Sequence, residues 1–269
     1  MEKKTAVITG ASGGLGRSLC FEFAGAGYRI IALDLDAKSL KNLSSEAVQK
    51  KIDLETIVCD ITNPVQVQKV FRKIEKFGVD VLINNAGITH RSPFLETDPA
   101  VLERVMRVNF FGSVLCTRAA LPSLLKSRGS LIGIASVAGF APLVARSGYS
   151  ASKHALTGFL ETLRCELMDS GVHVLVVSPS FIETPIAKNA LDAQGDTVKR
   201  SKVTFGKVLS SSEAARAILE ACLKRKKRAR IGGVARLSWW IYKFFPAIYE
   251  RTMIRSFEKE MVATAGKSQ

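Results

Sequence analysis

The chain has 269 residues, 47% hydrophobic and 23% charged, with a net charge of +15 and a mean hydropathy of +0.14. That composition excludes disorder for the bulk of the chain. A chain this long buries about 70–75% of its unfolded surface, so it needs no disulfide or metal staple.

Continuous apolar runs predict strands at 5–9, 29–33, 55–59, 79–83, 130–135 and 172–178. They do not alternate with polar residues, which is the pattern of parallel strands covered on both faces. Helical periodicity falls between them, near 14–26, 37–50, 64–77, 98–127 and 149–170. Such alternation builds βαβ units with right-handed crossovers, and hence an α/β, doubly wound parallel sheet of the Rossmann type. No linker or repeat interrupts it, so residues 1–231 read as a single domain, with a C-terminal helical extension at 232–269.

The first strand runs into Thr9-Gly10-Ala11-Ser12-Gly13-Gly14-Leu15-Gly16, and a helical pattern follows at once. A tight glycine turn between strand and helix lets the backbone approach a pyrophosphate, and the helix N-terminus offers free N–H groups with a partial positive charge. The spacing fits G-x-x-x-G-x-G through Gly10, Gly14 and Gly16, and also G-x-x-G-x-x-G through Gly10, Gly13 and Gly16. Asp34 stands 18 residues beyond Gly16, near the ~20 expected of an acid that binds a ribose. A carboxylate there accepts hydrogen bonds from the adenosine 2′-OH and repels a 2′-phosphate, so NAD(H) is preferred, with NADP(H) left open. The alternative is that Asp34 caps the next helix, with Asp36 close by.

Tyr149 and Lys153 are four residues apart on one helical face. A phenol with a pKa near 10 is a poor base at neutral pH, and a neighbouring ammonium makes it a usable acid and base. A solvated helix face accounts for the pair equally well. Ser136 tips the balance, because it follows the fifth strand, at the sheet edge where ligands bind.

Thr9 to Gly16, Asp60, Asn84-Asn85-Ala86-Gly87, Asn109, Ser136 and Tyr149-Ser150-Ala151-Ser152-Lys153 together resemble the short-chain dehydrogenase/reductase family, over about residues 5–231. The chain is similar to the small single-domain oxidoreductases rather than to the longer sugar-nucleotide epimerases and dehydratases. This resemblance implies a nucleotide-binding alcohol/carbonyl oxidoreductase that forms a homodimer or homotetramer. By the same resemblance Tyr149 is the general acid/base and Ser136 positions the substrate oxygen. Lys153 holds the nicotinamide ribose and depresses the pKa of Tyr149, and Asn109 anchors a water leading to Lys153. Asp60 and Ile61 border the adenine, while Asn85, Ala86 and Gly87 border the adenosine ribose; Ser12 and Leu15 belong to the phosphate turn. The family usually carries Pro-Gly after the sixth strand; here Pro179-Ser180-Phe181-Ile182-Glu183-Thr184 stands there. Pro179, Ile182 and Thr184 keep their places at the nicotinamide, with Thr184 left to bond the carboxamide. Ser180 in the glycine place costs backbone freedom.

The expected substrate wall comprises Val137, Ala138, Phe140, Pro142, Leu143, Val144, Phe181 and Ile182, which suits a hydrophobic alcohol or ketone. His90, His154 and His173 have no metal-ligand spacing, and His90 with Arg91 reads as a solvated loop. Cys20, Cys59, Cys116, Cys165 and Cys222 are odd in number and scattered, which reads as reduced, buried thiols. No signal peptide or apolar span is evident, so a cytoplasmic protein is expected.

From residue 224 onward twelve Lys/Arg face three Asp/Glu, and six of the twelve fall at 224–230. Leu237, Ile241, Phe244, Phe245 and Ile248 then share one helical face, and Tyr249, Met253, Phe257 and Met261 form a second stripe beyond Pro246. Packing on the domain or on a sister subunit explains these helices. So does peripheral docking of 224–250 on an anionic membrane, such as an inner membrane surface. No nucleic-acid recognition module surrounds the basic run, which argues against that partner. The rival to an enzyme is a catalytically silent NAD(H)-binding sensor or a membrane-associated scaffold.

Overall fold

The computed structural model describes residues 3–184, 186, 189–198 and 208–265, with side chains to residue 258. Seven parallel strands form one sheet: β1 (Thr5–Thr9), β2 (Arg29–Asp34), β3 (Leu54–Val58), β4 (Val81–Asn84), β5 (Ser130–Ile134), β6 (His173–Pro179) and β7 (Arg228–Ile231). Their order is β3-β2-β1-β4-β5-β6-β7. The winding reverses between β1 and β4, so a crevice opens at the carboxyl ends of those strands.

Helices cover both faces. On one, α1 (Gly14–Gly25) and α7 (Ser211–Leu223) bury Leu19, Phe23 and Ile218 against the sheet. On the other, α3 (Pro64–Ile74), α5 (Ser113–Ser127) and α6 (Ser147–Glu166) bury Phe71, Leu124 and Leu160. The starts of these helices follow from local chemistry. Asp36 caps α2 (Ala37–Gln49) by accepting from the Lys38 and Ser39 amides. Asn63 caps α3, whose first residue is Pro64, and Ser210 and Glu213 close a capping box on α7.

The predicted strands are present, with ends that differ by at most two residues. Two elements had no counterpart in the sequence reading. The first is α7. The second is β7, which lies inside the run read only as basic charge. Its residues alternate, with Arg228 exposed and Ala229 and Ile231 buried, as suits an edge strand wet on one side. Charge in the run is also spoken for: Arg228 Nε donates to Glu161 at 2.6 Å, and an Arg225 guanidinium nitrogen donates to the Gly171 carbonyl at 2.6 Å.

The helical region 98–127 is three pieces: α4 (Pro99–Met106), a π-helical turn (Arg107–Gly112) and α5. Among the described residues, Pro99–Ser127 is the one helix long and apolar enough to cross a membrane by length and composition. Here it is a crossover of the sheet, with Cys116, Ala120 and Leu124 fully buried. Cys165 departs from expectation: it is exposed, whereas the other four cysteines are buried.

The extension folds back on the domain. α8 (Gly233–Phe244) packs on β7 and on the turn at 137–139, and α9 (Pro246–Ala265) packs on α8.

Candidate active site

A cleft of about 920 Å³ runs along the carboxyl edge of the sheet, from Asp34 at one end to α9 at the other. Every site residue expected from the sequence lines it except Asn109, which lies beneath its floor.

At the glycine turn, Gly10 has φ +61°, and a Cβ there would meet the Ala86 Cα at 2.7 Å. A Cβ on Gly16 would overlap the Gly10 carbonyl oxygen and lie 2.9 Å from the Ala11 Cα. Gly13 has room, with its nearest neighbour 3.7 Å away. Of the two spacings, the sterically required pair is therefore Gly10 and Gly16, which the two motifs share. Asn85 braces this turn, because its Nδ2 donates to the Thr9 and Gly10 carbonyls, both at 3.0 Å.

Asp34 does not cap α2, since Asp36 does so. Its Oδ2 accepts from the Ser12 amide at 2.9 Å and the Ser12 hydroxyl at 2.7 Å, which aims the carboxylate at the glycine turn. Leu35, Asp36 and Ser39 line the cleft beside it. Asp60 holds its own loop by accepting from the Thr62 amide and hydroxyl, and Ile61 is buried behind it.

Ser136 and Tyr149 line the cleft together, with the Ser136 hydroxyl near enough to act on the phenol. Burial pushes the Tyr149 phenol above its ordinary pKa, while the Ser136 hydrogen bond and the Arg146 guanidinium pull it back. Lys153 lies one turn along α6, with Nζ 5.8 Å from the Tyr149 ring centroid and donating to the Ile134 carbonyl at 2.7 Å. Burial lowers its ammonium to about 8. Arg146 is a second cation beside the phenol, in addition to Lys153. Arg146 stands three residues before Tyr149, outside α6 as its N-cap, and nothing in the sequence alone marks it.

Asn109 sits in the π-helical turn, a distortion common at functional sites. Its Oδ1 accepts from the Ile88 amide at 2.8 Å, and its Nδ2 donates to the Ile88 carbonyl and to Ser152 Oγ, each at 2.9 Å. Ser152 Oγ in turn donates to the Tyr149 carbonyl at 2.8 Å. The Asn109 amide therefore ties the loop after β4 to the helix that carries Tyr149. Gly87 lets the two sides close up: a Cβ there would lie 3.2 Å from Asn109 Oδ1 and 3.5 Å from Lys153 Nζ.

Ser180 carries no strained backbone, since it is not among the residues with positive φ. The space for its side chain comes from Gly232, at φ +94°, where a Cβ would overlap the Ser180 hydroxyl. The cost expected of the Ser-for-Gly exchange is thus absent. The Ser180 Oγ is buried without a hydrogen-bond partner among the described residues. An orphaned hydroxyl on the cleft wall and a glycine cradle that any Cβ would fill both suit a nicotinamide dinucleotide.

The substrate end also differs from expectation in detail. Val137, Ala138, Leu143, Val144, Phe181 and Ile182 line the cleft, but Phe140 and Pro142 do not. The extension completes the wall with Tyr249, Met253 and Phe257; the side chain of Met261 is outside the described residues. Tyr249 is 5% exposed and lines the cleft with Ser238. His90 is not a solvated loop residue. It is fully buried, and its Nε2 accepts from the Gly148 amide at 3.0 Å, which leaves the ring proton on Nδ1, facing Ser92 Oγ. Arg91, next to it, lines the cleft.

Fold and site together define a dinucleotide-binding α/β protein with a Ser-Tyr-Lys constellation at the strand ends. The family model for short chain dehydrogenases matches residues 4–195, and the chain belongs to the short-chain dehydrogenase/reductase family of oxidoreductases. It is 35% identical over 264 residues to dehydrogenase/reductase SDR family member 7B of Bos taurus, covering 94% of this chain and 81% of that protein. It is 33% identical over 256 residues to dehydrogenase/reductase SDR family protein 7-like of Drosophila melanogaster, covering 91% and 78%. Among solved structures, a short chain dehydrogenase from Burkholderia cenocepacia in complex with NADP superposes with a TM-score of 0.79 at 26% identity, covering 94% of this chain and 98% of that one. One from Sphingobium yanoikuyae in complex with NADPH gives 0.75 at 27%, covering 84% and 87%.

Proposed function

We propose that the chain is an alcohol/carbonyl oxidoreductase that prefers NAD(H), acts on a hydrophobic alcohol or ketone and uses Tyr149 as general acid/base. The observation that carries this reading is the Ser136–Tyr149 hydroxyl pair, one helical turn from Lys153, in the cleft that the glycine turn opens. The nicotinamide, when bound, supplies or accepts the hydride. Ser136 and Tyr149 donate hydrogen bonds to the substrate oxygen, and the Tyr149 proton passes to that oxygen as it gains charge. The Lys153 ammonium stabilises the phenolate left behind and holds the nicotinamide ribose, and Asn109 anchors a water that leads a proton to Lys153. Consumption of NADH with a long-chain ketone tests the reading.

Asp34 supports the cofactor preference, although the two solved relatives above hold NADP and NADPH. Fluorescence titration is expected to give tighter binding of NADH than of NADPH, and Asp34→Ala with a basic residue at Leu35 is expected to reverse the order. Equal or tighter binding of NADPH by the unaltered protein contradicts it.

A homodimer or homotetramer accords with the half-exposed aromatic cluster of Phe110, Phe111 and Phe159. Membrane docking rests on a narrower surface than residues 224–250, because β7 separates 224–227 from the aromatic helices. Leu237, Trp240, Phe244, Phe245 and Ile248 are exposed on α8 and the start of α9, with Arg236, Lys243, Arg251 and Arg255 exposed around them. Each cation near an anionic surface contributes about 1 kcal/mol, and apolar insertion adds a salt-resistant part. Co-sedimentation with vesicles containing anionic lipid is expected for the full chain and is lost in Trp240→Ser with Phe244→Ser. Equal binding by that variant contradicts the docking.

A further inference from the structure

The charges along the cleft are segregated. Its acids, Asp34, Asp36 and Asp60, all lie at the adenosine end. Around Tyr149 the lining includes Arg91 and Arg146, and no carboxylate lines that end among the described residues. Arg146 is half-buried and makes no ion pair among the described residues. Burial first, and then the like charge of Arg91, lower its guanidinium to about 10. Holding Arg146 near another cation beside an apolar wall costs free energy, and Arg146 has no carboxylate partner among the described residues to offset it.

The arrangement is nevertheless built with care. Ala145, just before Arg146, takes φ +58°, a left-handed conformation that a residue with a Cβ seldom adopts. The Ser92 amide donates to the Ala145 carbonyl at 3.0 Å, and the Gly148 amide donates to His90 at 3.0 Å. Ser92 is fixed in turn by Thr97, oxygen to oxygen at 2.7 Å. The Arg91 amide donates to the Leu191 carbonyl at 2.8 Å. The buried His90 thus serves as a strut that joins the loop carrying Arg91 to the helix start carrying Arg146.

We propose that Arg146, with Arg91 beside it, is a subsite for an anionic group of the substrate. The compound turned over at Tyr149 is then an amphiphile with a phosphate or carboxylate at one end and an apolar chain along Leu143, Val144, Met253 and Phe257. A guanidinium suits either anion, because its planar fork binds two oxygens at once. Arg146 is the N-cap of α6, three residues before Tyr149, and both line the cleft, so the anionic group lies near the reacting carbon. This inference takes its reacting group from the oxidoreductase reading, but its test does not depend on turnover.

The test is calorimetric titration of octyl phosphate, octanoate and octanol into the full-length protein, with and without saturating NADH. NADH fills the glycine turn and removes it as a competing anion site. At least one anionic probe is expected to bind about tenfold or more tighter than octanol, with an advantage that shrinks as salt is added. Arg146→Gln is expected to remove most of that advantage while leaving octanol binding unchanged, and Arg146→Lys to keep part of it. Equal binding of all three probes overturns the proposal, as does an Arg146→Gln protein that binds the anions within about twofold of the original. Should Arg146→Gln fail to fold, the comparison of head groups on the unaltered protein and on Arg146→Lys decides. An Arg146-dependent anion preference without hydride transfer to any ketone would sink the oxidoreductase reading and leave the subsite standing.

Discussion

Tyr149→Phe is expected to lower turnover by at least about 10²–10⁴, the range for loss of a general acid/base, while NADH affinity stays the same. The phenol faces the cleft beside Ser136 and ties no structural element together among the described residues, so phenylalanine can fill its place in the fold. Loss of the hydroxyl removes the proton donor and one of the two groups that orient the substrate oxygen. Protonation states set the pH dependence. Burial holds the free phenol above its ordinary pKa of 10, so it stays protonated through the neutral range. Lys153 is lowered to about 8: it is charged below that pH and neutral above it. For carbonyl reduction, kcat/KM is therefore flat at low pH and falls as the pH rises past about 8, when the phenolate loses its neighbouring charge. Lys153→Arg is expected to move that fall upward. A fall that stays near 8 in Lys153→Arg assigns it to another group.

Gly16→Ala is expected to have the second largest effect. Its Cβ would meet the Gly10 carbonyl, the Ala11 Cα and Asn85 Nδ2 together, and two of these are backbone atoms that cannot swing aside. Relief requires the turn to shift. Overpacking of this kind costs about 1–3 kcal/mol, which lowers Tm by several degrees at roughly 2–4 °C per kcal/mol for a chain of this size. The same shift misaligns the amides facing the pyrophosphate, and loss of one charge-assisted bond is worth about 1.5–3 kcal/mol, or roughly 10–100-fold in affinity. Gly13→Ala is the control for stability, since its Cβ meets only the Gly10 carbonyl, at 3.7 Å. Thermal melts and NADH titrations of the two variants check the pair, and equal melting temperatures contradict the steric account.

Most of this architecture was legible because parallel strands buried on both faces are continuous apolar runs, and five of the seven are of that kind; β3, the edge strand opposite β7, is only half-buried. β7 escaped because an edge strand needs only one buried face: Ala229 and Ile231 supply it, while Arg228 and Arg230 obscure the pattern. α7 was marked in the sequence by Ser210 and Glu213 at capping-box spacing ahead of an apolar stretch. The grouping of Ser136, Tyr149 and Lys153 was legible because two of them share a helix and the third follows a strand. Arg146 and His90 were not, because their surroundings are made by segments more than fifty residues apart that meet only in the fold. The extension was half legible. Its two apolar stripes follow from helical spacing, but only the turn at Phe245 and Pro246 sends Tyr249, Met253 and Phe257 to the cleft and leaves Trp240 and Phe244 outside.

The central claim is hydride transfer between a nicotinamide and an apolar alcohol or ketone at Tyr149. The most direct measurement is absorbance at the reduced-nicotinamide band, with the full-length protein, NADH or NADPH, and a panel of long-chain ketones with and without an anionic group. The account predicts loss of the band with at least one ketone, faster with NADH, and none with Tyr149→Phe. Tight cofactor binding with no change in the band for any ketone, or for the matching alcohols with the oxidised cofactors, would contradict it and leave a catalytically silent NAD(H)-binding module.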